Sequence, residues 1–299
     1  MSPAPAVSVI IPAYEPGDLL TRAIDSVLTQ AAGDLELIVV DDGSRQDLRW
    51  VAGLADPRVR YIRQDNRGVS IARNLGAVLA QAPLVAFLDQ DDEWLPDKLG
   101  QQLSLVSEAP DAAFWYTWFD WVLPDRVIGG TEVAPTYHGL LDDHMVCLST
   151  SLVRREDYFA VGGHNPLLAQ TQDWDLFLRL SMHGRSPAGV RRKLVDYHLH
   201  GHNASRDYAE GARERLAILT SHEALARRRG DSAALQAIRR GRRRTREMYG
   251  YQAVDALRES LHARDLAGGV RHAASVTRLK PTLLLTGAVQ AARSRLGGS

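Results

Sequence analysis

Two short acidic runs stand out because each follows directly on a stretch of apolar residues. Asp41 and Asp42 come after residues 35–40, and residues 89–92 (DQDD) come after residues 84–88. A continuous apolar run is typical of a strand that is buried on both faces of a parallel sheet. Clustered carboxylates repel one another unless a cation lies between them, and Mg²⁺ typically uses one or two carboxylates together with substrate phosphates. The second run therefore predicts a divalent cation with a phosphate ligand; an acidic turn that caps the helix predicted from Pro96 is the alternative.

The elements that must position these carboxylates alternate along the first part of the chain. Apolar runs predict strands, and helical spacing of apolar residues predicts helices between them. The predicted strands are residues 7–12, 35–40, 59–63 and 84–88, and the predicted helices are residues 17–29 and 69–80. Such alternation implies an α/β fold with a parallel sheet and right-handed crossovers. Because ligands bind outside the carboxyl ends of the strands, both acidic runs are predicted to lie at one edge of this sheet.

The second part of the chain predicts fewer strands and, towards its end, only helices. Helices are predicted at residues 96–106, 156–160 and 173–182, and strands at residues 113–122, 149–154 and 193–199. Beyond about residue 205 the composition changes, since clusters of arginine crowd a segment of helical character. This change of composition predicts a separate helical extension.

Composition excludes several classes of protein. The 299 residues carry a formal net charge of zero, which argues against nucleic acid as a partner, and the single Cys147 excludes an internal disulfide. The first 16 residues lack the basic segment of a signal peptide. No apolar stretch approaches the roughly 20 residues that span a bilayer. We therefore expect a cytoplasmic protein.

Five motifs, in their order along the chain, resemble those of the inverting glycosyltransferases of family 2, which have the GT-A fold. The motifs are VSVIIPAYE, VVDDGS, NRGVSIARN, FLDQDDEW and GGHNPLLAQTQDWDLFLRL. The resemblance implies a GT-A domain over residues 1–205, a mostly parallel sheet flanked by helices. Residues 1–105 would form its nucleotide-binding half and residues 106–205 its acceptor and catalytic half. Residues 206–299 would form the helical, arginine-rich extension.

The resemblance also implies which residues hold a nucleotide-sugar donor. They are Pro12, Ala13, Tyr14, Glu15, Asp41, Asp42, Asn66, Gly68, Arg73, Asp89 and Gln90. Asp41 would accept the imide N–H of a uracil ring, which favours a UDP-sugar, and Tyr14 would stack on that ring. Arg73 would offer a cation to the diphosphate; a structural salt bridge to Asp89 or Asp91 is the alternative.

A metal and a base complete the implied machinery. Asp89-Gln90-Asp91 matches the DxD motif of the family, which implies Mg²⁺ or Mn²⁺ bound by Asp91, Asp89 and His200. The metal would act as a Lewis acid on the departing nucleoside diphosphate. Asp173, in TQDWDLFLRL, would be the base that deprotonates the acceptor hydroxyl. An acid that is favoured at a helix N-terminus by the macrodipole is the alternative for Asp173, and Asp175 is expected to be structural.

The implied reaction transfers a sugar to a hydroxyl of a saccharide or lipid-linked acceptor, with inversion, in the synthesis of cell-surface polysaccharide or glycoconjugate. Two alternatives remain open. One is a non-catalytic sugar-nucleotide-binding protein on a GT-A scaffold. The other is a sugar-1-phosphate nucleotidyltransferase, whose glycine-rich activation loop does not match residues 12–17.

The arginine-rich extension has two interpretations. One is a solvated helical face. The other is peripheral contact with the anionic inner face of a membrane, to which each Lys or Arg near the lipid contributes about 1 kcal/mol. Residues 283–292 would then form an interfacial helix.

Overall fold

The computed structural model of the chain describes residues 5–32, 34–123, 125–130, 135–143, 146–199 and 207–279. These residues fall into two compact units. The first lies within Met1–Leu140 and His144–Asn203, and the second within Leu141–Asp143 and Ala204–Ser299. The predicted boundary between residues 205 and 206 lies outside the described residues, as do His200 and the predicted interfacial helix at residues 283–292.

The first unit alternates strands and helices over its first hundred residues and carries shorter elements after them. The strands are β1 (Val7–Ala13), β2 (Leu35–Asp41), β3 (Val59–Arg63), β4 (Leu84–Phe87), β5 (Glu93–Trp94), β6 (Trp115–Val122), β7 (Val127–Ile128), β8 (Leu152–Arg154) and β9 (Ala188–His198). The helices are α1 (Leu19–Leu28), α2 (Val69–Leu79), α3 (Lys98–Glu108), α4 (Tyr137–Asp142), α5 (Arg155–Ala160) and α6 (Gln172–Ser181); α4 runs into the second unit at Leu141. Two short 3₁₀ turns occupy Arg49–Gly53 and Leu148–Thr150.

The strands form one sheet in the order β3-β2-β1-β4-β8-β6-β9-β5, with β7 paired to β6. The β3-β2-β1-β4 segment is parallel, whereas β8 runs antiparallel to both β4 and β6. Strands β6 and β9 are again parallel to each other, so the sheet is mixed, and only its β3-β2-β1-β4 segment is parallel over several neighbouring strands. The predicted α/β sheet flanked by helices is confirmed. The apolar pattern could not reveal the direction of β8, because a three-residue strand carries no directional signal.

The parallel register brings the acidic runs together. Ala13 in β1 lies opposite Asp41 in β2, which in turn lies opposite Arg63 in β3. Phe87, the last residue of β4, lies opposite Ile10 of β1. All residues of β1, β2 and β4 are buried. The prediction that both acidic runs lie at one edge of the sheet is thus confirmed, and we call this edge, with residues 13–15, 41–44 and 89–91, the acidic edge.

The strands β5 and β7 and the helix α4 were not predicted, and β5 corrects an interpretation. The two-residue strand β5 pairs with β9 directly after the second acidic run, at Trp94–Val195 and Glu93–Asp196. Helix α3 begins only at Lys98 and is preceded by Asp97 in a left-handed conformation with φ 67°. The interpretation of residues 89–92 as a turn that caps a helix at Pro96 is therefore wrong. Strand β7 and helix α4 lacked enough apolar periodicity to be recognised.

The described part of the second unit contains three long helices, which are α7 (Tyr208–Arg229), α8 (Ser232–His262) and α9 (Leu266–Leu279). Its small core consists of Ala212, Tyr249, Ala253, Val276 and Leu279. Aspartates begin α7 and α8, since Asp207 and Asp231 accept hydrogen bonds from first-turn amides, as N-caps do. Among the described residues, no helix is both long and apolar enough to cross a membrane.

Candidate active site

Asp41, at the carboxyl end of β2, lies fully buried in a hydrogen-bond network. Its Oδ1 accepts from the Ser44 amide at 2.8 Å, and its Oδ2 accepts from Tyr61 OH at 2.6 Å and Arg63 Nη1 at 2.5 Å. Burial alone would raise the pKa of Asp41, but the hydrogen bonds from Tyr61, Ser44 and Arg63 together lower it below the ordinary value. Asp41 is therefore held as a carboxylate, and an incoming ligand would compete with Arg63 for Oδ2.

Asp42 organises the segment that follows β3. Its carboxylate accepts hydrogen bonds from Gln64 Nε2 at 2.6 Å and from the Arg67 and Gly68 amides, both at 2.8 Å. Gly68 precedes α2 with φ 91°, a conformation that favours glycine. Asn66 is exposed in the same segment. The buried Asp42 thus fixes the loop that carries two of the predicted donor-binding residues.

The side chain of Gln90 ties the second acidic run to the loop after β1. The Tyr14 amide donates to Gln90 Oε1 at 2.8 Å, and Gln90 Nε2 donates to the Tyr14 carbonyl at 3.1 Å. The Glu15 amide donates to Ser44 Oγ at 3.1 Å, while the Glu15 carboxylate accepts from the Arg45 amide at 2.7 Å. These bonds hold the loop after the buried Pro12 and Ala13 in place and leave the Tyr14 side chain exposed.

Arg73 is a buried cation beside the acidic edge. Its side chain is only 5% exposed, and Nη2 donates to Asp89 Oδ1 at 2.5 Å. Both interpretations of Arg73 are compatible with the structure. The salt bridge to Asp89 is present, and the guanidinium keeps further N–H donors that a diphosphate could accept. Within the described residues, its buried Nε and Nη1 have no hydrogen-bond partner. Buried donors without a partner are costly, so this guanidinium is suited to an anionic ligand.

Asp92 has a structural role that sequence reasoning missed. It is buried, and its carboxylate accepts from Ser149 Oγ at 2.5 Å and from the His198 amide at 3.2 Å. Burial raises its pKa well above the ordinary value, and the negative charges of Asp89 and Asp91 raise it further. The sequence did contain a signal for this role. Residues 89–92 place three carboxylates next to one another after a strand, and so many carboxylates cannot all stay ionised at one place.

The described residues fit a divalent metal that shares its coordination with a ligand. No cluster of three or more His, Cys, Asp or Glu side chains able to hold a metal occurs among them, and His200 lies outside them. Asp89 and Asp91 are both half-buried at the acidic edge, and one oxygen of Asp89 is engaged by Arg73. One or two carboxylates are what Mg²⁺ uses when substrate phosphates supply the other ligands.

Asp173 lies in the first turn of α6 and is half-buried, with Oδ1 accepting from the Trp174 amide at 2.7 Å. The indole of Trp174 donates to the Leu140 carbonyl at 2.7 Å, which fixes this turn. Asp175 forms a salt bridge with Arg179 at 2.6 Å, so its predicted structural role is confirmed.

The buried thiol of Cys147 is affected by several of the carboxylates predicted for the site. Burial raises the pKa of this thiol well above the ordinary value, and the charges of Asp92, Asp89 and Asp173 raise it further. Asp173 and two carboxylates of the second acidic run thus act on the same buried thiol.

His164 predicts a measurable pH dependence of stability. It is fully buried, with Nδ1 2.7 Å from Tyr158 OH and its ring in edge contact with Phe87 at 5.0 Å between centroids. Burial lowers its pKa well below 6.5, and the charges of Arg73 and Arg179 lower it further. The unfolded chain therefore binds more protons below about pH 6.5. The free energy of unfolding is expected to decrease there as the pH is lowered, by up to about 1.4 kcal/mol per pH unit.

The His164→Phe variant should lose this contribution. We expect its free energy of unfolding, measured by urea titration between pH 5 and 7, to depend less steeply on pH than that of the wild type. Equal slopes for the two proteins would show that His164 is not held neutral in the folded state.

Known proteins similar to this chain are glycosyltransferases. The model of glycosyl transferase family 2 matches residues 8–147. The putative teichuronic acid biosynthesis glycosyltransferase TuaG of Bacillus subtilis is 31% identical over 220 residues, which cover 70% of this chain and 85% of TuaG. WfgD of Escherichia coli, a UDP-Glc:alpha-D-GlcNAc-diphosphoundecaprenol beta-1,3-glucosyltransferase, is 32% identical over 171 residues, covering 51% of this chain and 67% of WfgD.

The fold and these relatives define the class of protein, an α/β glycosyltransferase. The chain belongs to glycosyltransferase family 2. The crystal structure of S. aureus TarS 1-349 in complex with UDP-GlcNAc has a similar fold, with a TM-score of 0.60 and 14% identity over 91% of both chains. The expected family, enzyme class and GT-A fold are thus confirmed, whereas the roles of individual site residues stay predictions.

Proposed function

We propose that the protein transfers a sugar from a UDP-sugar to a hydroxyl of a saccharide acceptor, with inversion at the anomeric carbon. The observation that carries the proposal is the buried guanidinium of Arg73 at the acidic edge. It is bonded to Asp89 and retains two donors that lack a partner among the described residues. A diphosphate accompanied by a divalent metal would satisfy those donors and the carboxylates of Asp89 and Asp91 together.

The donor base is proposed to be uracil, bound between Tyr14 and Asp41. The exposed ring of Tyr14 offers a stacking surface on one side of the acidic edge. The Asp41 carboxylate can accept the imide N–H of uracil, which purine bases do not present in that form. Arg63, whose side chain is 49% exposed, would yield its place on Asp41 Oδ2 to the base. The UDP-GlcNAc bound by TarS supports this choice of donor.

Asp173 is proposed to be the general base. It would take the proton of the acceptor hydroxyl while that oxygen attacks the anomeric carbon from the face opposite the UDP leaving group. The bond between the anomeric carbon and the phosphate oxygen breaks as the new glycosidic bond forms, and UDP departs with the electron pair. Mg²⁺ or Mn²⁺, held by Asp91 and Asp89, would stabilise the negative charge on UDP. Arg73 would donate hydrogen bonds to the same diphosphate.

The acceptor is proposed to be a saccharide of the cell surface, free or linked to a lipid diphosphate. TuaG is named for teichuronic acid biosynthesis, and WfgD for transfer to a sugar on diphosphoundecaprenol. Both names support synthesis of a cell-surface polysaccharide as the role of this chain.

Release of UDP from a panel of UDP-sugars in the presence of Mn²⁺ tests the proposed function. We expect release from at least one UDP-sugar when saccharide or lipid-linked acceptors are added, and none from GDP-sugars. Binding of a UDP-sugar without release, across the acceptor panel, would instead favour the non-catalytic binding protein. Formation of a UDP-sugar from UTP and a sugar 1-phosphate would favour the nucleotidyltransferase.

We further propose that α8 contacts an anionic membrane. Three of its arginines are engaged by acids of the second unit, namely Arg240 by Asp142, Arg242 by Glu223 and Arg244 by Asp143. Arg239, Arg243 and Arg246 are exposed, and within the described residues no ion pair involves them. Their spacing puts them on one face of α8. This basic stripe, Arg239, Arg243 and Arg246, is complementary to an anionic lipid surface.

The basic stripe predicts selective binding to anionic vesicles. With about 1 kcal/mol for each arginine, we expect the R239Q/R243Q/R246Q variant to bind phosphatidylglycerol vesicles on the order of 100-fold more weakly than the wild type, by sedimentation at low salt. The R258Q/R264Q/R271Q variant removes the same charge elsewhere in the second unit and is the control. Equal losses for the two variants, or no binding by the wild type, would contradict a specific membrane face.

A further inference from the structure

The side chain of Asn74 joins α2, the helix that carries Arg73, to a turn that precedes the proposed base Asp173 in the chain. Asn74 follows Arg73 in α2, and its Nδ2 donates to the His164 carbonyl at 2.9 Å. Its Oδ1 accepts from the His164 amide at 2.9 Å and from the hydroxyl of Tyr158. Tyr158 and His164 lie 84 and 90 residues further along the chain, so these bonds are a tertiary connection. We call residues 161–164 the bridging turn.

The bridging turn fits closely around Asn74. Gly163 has φ 67°, and a Cβ at this position would lie 2.7 Å from Asn74 Oδ1 and 3.1 Å from a ring carbon of Tyr158. A side chain there would be strained by the backbone and would displace the amide. The contact therefore leaves little freedom for the turn to move relative to α2.

The opposite side of the bridging turn is bonded to α6. Arg179 Nη1 donates to the Val161 carbonyl at 2.6 Å. The same guanidinium donates through Nε and Nη2 to Asp175 Oδ2, at 2.9 and 2.6 Å. Asp175 shares the first turn of α6 with Asp173. A continuous set of contacts thus runs from Asp89 and Arg73, through Asn74 and the bridging turn, to the turn that carries Asp173.

We propose that Asn74 is a positioning residue that sets the distance between the acidic edge and Asp173. It acts through the bridging turn and Arg179. This inference rests on the proposed role of Asp173 as the base. Displacement of a reacting group by about 1 Å can cost on the order of 100-fold in rate, so a connection of this kind can control turnover without touching the substrate.

Hydrogen exchange tests the connection without requiring turnover. The Asn74→Ala variant should show faster amide exchange in the bridging turn and in the first turn of α6, residues 172–176. Gln30→Ala is the matched control, because the buried side-chain amide of Gln30 also makes three hydrogen bonds, two of which tie the segment after α1 to residues 95–99. We expect the control to leave residues 161–176 unchanged. Faster exchange that stops within α2, or that is the same in both variants, would overturn the proposal.

A double-mutant cycle tests the consequence for catalysis. Asn74→Ala is expected to lower kcat by about 10- to 100-fold while the Kd of UDP with Mn²⁺ stays within about twofold. In the Asp173→Asn background, the same change should cost less than about threefold, since its effect passes through Asp173. An equal cost in both backgrounds would overturn the proposal. If the wild type releases no UDP from any donor, the proposed function fails, and the exchange experiment alone decides the role of Asn74.

Discussion

The Asp173→Asn variant is expected to lower kcat by about 10³-fold, since a positioned general base contributes about 10² to 10⁴ in rate. An amide cannot take the acceptor proton, yet it keeps the size and the hydrogen-bond acceptor that holds the Trp174 amide. The Kd of UDP should therefore stay close to that of the wild type. Initial rates of sugar transfer at saturating donor and acceptor, with calorimetric titration of UDP, measure both quantities.

A second carboxylate of the first unit provides the control for this variant. Asp157, in the first turn of α5, forms ion pairs with Arg154 and Arg185. We expect Asp157→Asn to affect thermal stability more than kcat. If Asp173→Asn retains more than about a tenth of the wild-type kcat, Asp173 is an acid that only stabilises the helix N-terminus.

The Asp91→Asn variant is expected to reduce transfer by on the order of 10³-fold, through the metal. A Lewis acid contributes several kcal/mol to the stabilisation of charge in a transition state, and each 1.36 kcal/mol corresponds to a factor of ten in rate. Because an amide oxygen is a weaker ligand than a carboxylate, the Mn²⁺ concentration at half-maximal rate should also rise. Rates measured over a series of Mn²⁺ concentrations separate the two effects.

Asp97→Asn is the matched control for the loss of charge. Asp97 is exposed, follows Asp91 by six residues and has a left-handed backbone that asparagine adopts readily. Its rate and metal dependence should equal those of the wild type. Should Asp91→Asn behave in the same way as Asp97→Asn, Asp91 does not bind a metal that takes part in transfer.

The acidic edge could be predicted from the sequence because it depends on local patterns and one topological rule. Continuous apolar runs located β2 and β4, and parallel strands bring their carboxyl ends to the same edge. The acidic residues that follow the runs were therefore placed together without knowledge of long-range contacts. The pairing of Arg73 with Asp89 was also among the interpretations that the sequence allowed, because a buried cation needs an anion nearby.

The contacts that complete the site could not be predicted, because they join distant parts of the chain. Asp92 accepts hydrogen bonds from Ser149 and His198, which lie 57 and 106 positions further along the chain. The bonds between Asn74 and His164 span 90 residues. No periodicity within a short window reports on such pairs.

The environment of Asp41 was missed for a related reason. Tyr61 and Arg63 are two residues apart in β3, so their side chains lie on the same face of the sheet. Only the register of β3 against β2 brings both side chains within hydrogen-bond distance of Asp41. That register follows from the packing of both strands and not from the residues of β3 alone. The sequence therefore predicted a carboxylate at this position but not its hydrogen bonds with Tyr61 and Arg63, which help to keep it ionised.

A crystal structure of the protein with UDP and Mn²⁺ tests the central claim most directly. We predict the metal ion between the Asp91 carboxylate and the two phosphates, Arg73 within hydrogen-bond distance of the diphosphate, and the uracil ring beside Tyr14 and Asp41. UDP bound away from the acidic edge, or at that edge with no metal contact to Asp91, would contradict the proposed arrangement.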